Sequence, residues 1–207
     1  MVRLDHLAVA AENLEAGVAA VEAALGVGLA PGGAHAAMGT HNRLLHLGPG
    51  LYLEVIAIDP AAPAPGRARW FDLDRFAGPP RLSNWIARCE ENGLEAALAA
   101  APAGTGRPMA LSRGELNWRM AVPEDGRLPF DGAFPAFIEW QGVAHPAARL
   151  PDAGCRLVAL DIHHPEAVAL GEALRGVIDE PMVALHEGPE KALRAVIDTP
   201  SGRRVLE

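Results

Sequence analysis

Apolar residues in this chain alternate or cluster in short stretches, separated by brief runs at helical spacing. Residues 3–11 alternate as a strand, with Leu4, His6 and Ala8 on one face and Asp5, Leu7 and Val9 on the other. Leu14, Val18, Val21 and Leu25 then recur at helical spacing behind an Asn13 N-cap, and Gly26 and Gly28 end the helix. A glycine-punctuated stretch through Gly32-Gly33-Ala34-His35 leads to a strand over 41–47. A Gly48-Pro49-Gly50 turn and a strand over 51–58 follow. The order is strand, helix, then two or three strands.

Prolines and glycines between 59 and 81, among them Pro60, Pro63, Pro65, Gly66, Pro79 and Pro80, interrupt this order and mark a linker, which Trp70 and Phe71 anchor to a core. The order then restarts, with a strand over 82–87, a helix over 90–101 and strands over 108–112, 116–122 and 134–141. A third pass follows Pro151: a strand over 156–162, a helix opened by Pro165, and strands over 182–187, 192–197 and 203–206. The chain thus divides into a first module at 1–58, a linker at 59–81, a second module at 82–145 and a third, shorter one at 154–207. Because each copy supports the same unit independently, the repetition outweighs any single element.

Against this pattern two carboxylates stand out. Glu54 sits inside Leu51–Ile56, and Glu139 inside Phe137–Trp140. A lone acid among apolar strand neighbours requires a cation or a hydrogen-bond donor. Superimposing the first two modules puts Asn84 where His6 stands. A histidine on one strand and glutamates on later ones suggest a metal site built from facing strands. An arginine, for example Arg119 on a neighbouring strand, could serve a glutamate equally well. His41 and Asn42, which follow a glycine, are candidates to line a pocket, and Trp118 is a candidate to close over a ligand.

Composition narrows the classes. With 207 residues and 50% hydrophobic content, the chain buries a substantial core. Its net charge is −8, and no basic stripe of the kind a nucleic-acid binder needs is present. All of its 18 basic residues except Lys191 are arginines. Cys89 and Cys155 lack metal or redox spacing and read as free thiols in a reducing compartment. No apolar run is long enough to span a membrane, and the first strand starts too close to Met1 for a signal peptide, which points to the cytoplasm. Nucleophile-elbow, P-loop and dinucleotide fingerprints are missing.

The βαβββ repeat, the Asp5-His6 opening strand, the Gly39-Thr40-His41-Asn42 stretch and the Tyr52-Leu53-Glu54 strand resemble glyoxalase-like proteins of the vicinal oxygen chelate superfamily. The resemblance is strongest over 3–58 and weakest in the last fifty or so residues. It implies an α+β fold in which paired modules form a curved open sheet, an incomplete barrel with helices on its outer face. It also implies a divalent ion (Mg, Mn, Ni or Zn) in the hollow, held by His6, Glu54, Asn84 and Glu139. Glu54 or Glu139 would move a proton while the ion stabilises an oxyanion or enolate of a small oxygenated substrate, in isomerase, epimerase or lyase chemistry. The alternative is a metal-free protein that sequesters a small molecule in the same hollow. The third module would pack beside the first two or build a homodimer interface.

Overall fold

The computed structural model describes residues 2–90, 93–178 and 180–207. The first module comprises β1 (Arg3–Ala10), α1 (Leu14–Leu25), β2 (Ala30–His35), β3 (Thr40–Gly48) and β4 (Leu51–Ile58). Asn13 caps α1 through its side chain, which accepts from the Ala16 amide at 2.8 Å, and Gly26 ends it in the left-handed region. The second module comprises β5 (Arg81–Arg88), α2 (Leu94–Ala100), β6 (Arg107–Arg113), β7 (Leu116–Val122) and β8 (Ala136–Gln141). The start of the helix expected over 90–101 includes residues 91 and 92, which lie outside the described residues.

These eight strands form one strongly curled sheet in the order β2-β3-β4-β1-β5-β8-β7-β6. In each module the first strand runs parallel to the last, and the modules meet where β1 crosses β5 antiparallel. The glycine-punctuated stretch through Gly32-Gly33-Ala34-His35 is itself a strand, β2, which makes three strands after the helix. It lies at the sheet edge and is bulged between Pro31 and Ala34, the setting in which a strand tolerates proline.

Alternation along the strands separates two cores. Leu7, Val9, Leu53, Val55 and Trp85 face the helices, whereas Ala8, Ala10, Ile56, Ile86 and Ile138 face the hollow. The linker crosses the hollow as a strap. Trp70, Phe71 and Leu73, on a 3₁₀ turn, are buried against the concave core.

The last unit comprises β9 (Arg156–His164), α3 (Ala167–Leu174), β10 (Val183–Glu187), β11 (Ala192–Thr199) and β12 (Gly202–Leu206). Its element order repeats that of the modules, but its pairing does not. β9 runs parallel to β10 and antiparallel to β11, giving a separate sheet in the order β10-β9-β11-β12. This sheet packs on the helix side of the large sheet, with Leu160, Ile162, Leu193 and Ile197 in the same core as Leu7 and Trp85. Among the described residues, no helix is long and apolar enough to cross a membrane.

Candidate functional site

The hollow is lined at its centre by His6, His35, Asn42, Tyr52, Glu54 and Arg113, with Trp70, Trp118, Met120 and Trp140 around them. A β-bulge between Leu4 and His6 decides the chemistry here. Strict alternation would point Asp5 toward the helices and Leu4 toward the hollow. Instead Leu4 joins the helix-side core, and Asp5 lies 2.7 Å from His6 Nδ1. The second Asp5 oxygen accepts from Trp140 Nε1 at 3.1 Å and lies 3.0 Å from His145 Nε2. Burial raises the Asp5 pKa, but hydrogen bonds to His145 and His6 outweigh it and hold the carboxyl well below its usual range.

With Nδ1 committed to Asp5, His6 turns Nε2 toward Glu54, 3.7 Å away. Its ring stacks on Tyr52 at 4.3 Å. Burial, and then the charges of Asp5 and Glu54, raise the Tyr52 phenol well above its ordinary value, so it stays protonated. Asn42 donates to Glu54 Oε1 at 2.5 Å, and its own oxygen accepts from the Gly33 amide at 2.8 Å and from Arg113 at 3.0 Å.

Arg113 also places Nη1 3.1 Å from His35 Nε2, while His35 Nδ1 meets the Thr40 hydroxyl at 3.0 Å. Burial depresses the His35 pKa to about 4; Glu54 opposes the shift and Arg113 adds to it. His35 is therefore neutral at neutral pH. Arg113 and His35 come from opposite edges of the sheet, which curling brings together, and Gly33 makes the approach possible. A Cβ at Gly33 would stand 2.8 Å from Arg113 Cδ.

The four residues implied as metal ligands do not converge. His6 and Glu54 share the hollow. Asn84 is buried beyond Phe71 and donates to the Gly132 carbonyl at 3.4 Å. Glu139 points to the other face of the sheet, since Phe137 belongs to the helix-side core and Ile138 to the concave one. There it accepts from the Leu94 amide at the start of α2 at 3.0 Å and from Arg119 at 3.2 Å. The arginine alternative raised from the sequence is thus the one the fold builds.

Strand register shows why the repeat misled. His6 stands opposite Ile86 and Ala8 opposite Asn84, so the exchange of modules equates His6 with Asn84 and Ala8 with Ile86. Ala8 pairs with Glu54, and Ile86 pairs with Ala136. The counterpart of Glu54 is therefore Ala136, which offers no donor.

The remaining donors also suit a metal poorly. His35 Nε2 faces the donating groups of Arg113 and Asn42, and a guanidinium in the site repels a cation. Among the described residues, no three His, Cys, Asp or Glu side chains group so as to hold a metal ion. Of the pocket candidates, Asn42 and Trp118 line the hollow. His41 does not: it stands beside Ala57 of the helix-side core, and its Nε2 is buried without a partner. The sequence reading missed Asp5, His35 and Arg113 as site residues. The Asp5-His6 pair was visible in the sequence; the bulge that joins the two was not.

Two βαβββ modules pairing into one curled, half-closed sheet around a polar centre define the vicinal oxygen chelate class. The glyoxalase-like domain family matches residues 4–178, and the chain belongs to that family. No curated protein matches by sequence. Among solved structures, a hypothetical protein from Staphylococcus aureus is similar at a TM-score of 0.68 and 12% identity, covering 96% of this chain and 91% of that one. Methylmalonyl-CoA epimerase from Mycobacterium tuberculosis aligns at a TM-score of 0.43 and 17% identity, over 68% of this chain and 88% of that one. A Streptomyces coelicolor methylmalonyl-CoA epimerase variant in complex with 2-nitronate-propionyl-CoA aligns at 0.44 and 14%, over 69% and 98%.

Proposed function

We propose that the chain is an isomerase- or epimerase-type enzyme that moves a proton on a small oxygenated substrate, using His6 and Glu54. The observation that carries this reading is the Asp5–His6–Glu54 array, buried in an aromatic hollow beside one guanidinium. Asp5 fixes the imidazole so that Nε2 faces the reacting space, the positioning role a buried carboxylate plays for a working histidine. Glu54, held by Asn42, takes the proton from carbon. His6, in its imidazolium form, gives its Nε2 proton to the carbanion or its oxygen and is reprotonated by Glu54, 3.7 Å away, or by solvent. Arg113 binds the negative charge, whether a substrate carboxylate or the oxygen of the enolate that forms. Asn84 and Glu139 take no part.

The hollow has a volume of about 30 Å³, room for about two waters. A substrate must therefore lift Trp70 and Phe71 of the strap. Trp70 Nε1 is buried without a partner, a donor that an entering oxygen atom would satisfy.

A second reading, a binder that sequesters a flat molecule, rests on the tryptophan lining formed by Trp70, Trp118 and Trp140. Exchange with solvent separates the two. The full chain is incubated in D₂O, with a chelator, against small 2-oxo and 2-substituted carboxylic acids, and deuterium uptake at the activated carbon is followed by NMR. The enzyme reading expects uptake that Glu54→Gln abolishes and Glu139→Gln retains. Compounds that bind with no uptake would establish the binder, and uptake indifferent to Glu54→Gln would overturn the assignment.

A further inference from the structure

A second cavity, of about 160 Å³, lies on the other side of Phe71. Its charged lining comprises Arg75, Arg81, Arg127 and Lys191 against Asp72 and Asp131. That is a local excess of positive charge on a chain whose net charge is −8.

Lys191 is the sole lysine of the chain, and it comes from the last unit, in the loop immediately before β11. Its Nζ donates to the Ser83 carbonyl of the second module, which leaves two N–H donors of the ammonium. Among the described residues it joins no ion pair: Asp131 lies instead 3.9 Å from Arg127. An ammonium withdrawn from water without a counter-ion is costly. Burial pushes its pKa down to about 8; Arg81 adds to the shift and Asp131 opposes it.

The space around Nζ is kept open by Gly132. A Cβ there would lie 2.6 Å from Asn84 Nδ2 and 3.6 Å from Lys191 Nζ. Arg81 is held aside by the Ala77 and Pro79 carbonyls and by the Phe76 ring, 4.2 Å from its guanidinium carbon. Arg75 and Arg127 stand at the mouth with side chains 57% and 54% exposed; Arg75 is paired with Asp72, and Arg127 lies 3.8 Å from Asp72 and 3.9 Å from Asp131, so an entering anion would compete with these carboxylates for them.

We propose that this cavity binds a small phosphoryl-type oxyanion, free phosphate or a phosphate monoester, with Lys191 at its floor and Arg127 and Arg75 at its mouth. The volume favours such an anion, being well below the roughly 300–1,000 Å³ of sites for larger ligands. Converging cations with several N–H donors match tetrahedral oxygens. Because Lys191 belongs to the last unit and Ser83 to the second module, an occupied site would also tie these two parts together.

Calorimetric titration of the full chain at constant ionic strength, with inorganic phosphate, glycerol phosphate and acetate, tests the proposal. We expect saturable binding of phosphate or glycerol phosphate, the tighter of the two identifying the source, and much weaker binding of acetate. Lys191→Gln and Arg127→Gln should each weaken binding about tenfold or more, equal to about 1.4 kcal/mol. The sole lysine provides a local readout that needs no variant: the bound anion should slow acetylation of Lys191, followed by peptide mass. If Lys191→Gln fails to fold, Arg127→Gln and the acetylation rate still decide. No saturable binding of either phosphate, or binding that leaves the acetylation rate and the Arg127→Gln affinity unchanged, would overturn the site.

Discussion

Replacing Glu139 should damage the fold and spare the chemistry. The carboxylate is 3% exposed. It accepts from the Leu94 amide at 3.0 Å and from Arg119 at 3.2 Å. Leu94 opens α2, a helix that spans only Leu94–Ala100, so its amide has no partner within the helix. Removing a buried, charged acceptor costs about 1.5–3 kcal/mol, and the positive end of the helix adds a few tenths more. Arg119 keeps its pairing with Glu95 and is not orphaned. Glu139→Ala should therefore lose about 3 kcal/mol in urea unfolding, and Glu139→Gln, which retains an acceptor oxygen, about 1 kcal/mol. Both should retain deuterium uptake once folded. A Glu139→Gln protein of full stability that has lost uptake would refute the placement of this residue, and with it the register argument that puts Ala136 opposite Glu54.

Three further outcomes are expected. His35 has a folded pKa of about 4 against an ordinary 6.5, so unfolding takes up a proton between these values. Its contribution is complete above about pH 6.5 and is lost as pH falls toward 4, at up to about 1.4 kcal/mol per unit; a His35→Gln variant with the same stability–pH slope over that interval would contradict this. Gly33→Ala should push Arg113 away from His35 and Asn42, weakening carboxylate binding severalfold in titrations with little change in melting temperature. Burial pushes the Cys89 thiol up to about 12 and raises that of Cys155, so a thiol reagent should label the native protein slowly and the urea-unfolded protein at once.

Much of the architecture was legible because it is local. The Asn13 cap, the glycine stop of α1, the Gly48-Pro49-Gly50 turn and the alternation through β1, β4 and β7 are written in adjacent residues. The parts that escaped depend on distant pairing. Glu139 was matched to Glu54 by the look of the flanking apolar run, and a slip of a few positions moved it to the opposite face. Asp5 beside His6 depends on a bulge in β1, set by its pairing with β5. The meeting of His35 and Arg113 needs the whole sheet to curl until β2 and β6 approach. The last unit shows the same limit: its order of elements repeats the modules, whereas its parallel partner is β10 and not its final strand.

His6 and Glu54 are proposed to work as a proton-transfer pair without a bound ion between them. Metal content settles that most directly: the purified full chain, and Glu54→Gln, are each loaded with Mg, Mn, Ni and Zn, passed through gel filtration and measured by elemental analysis. Far less than one equivalent of any ion is expected in both proteins. One equivalent retained by the wild type and lost with Glu54→Gln would contradict it.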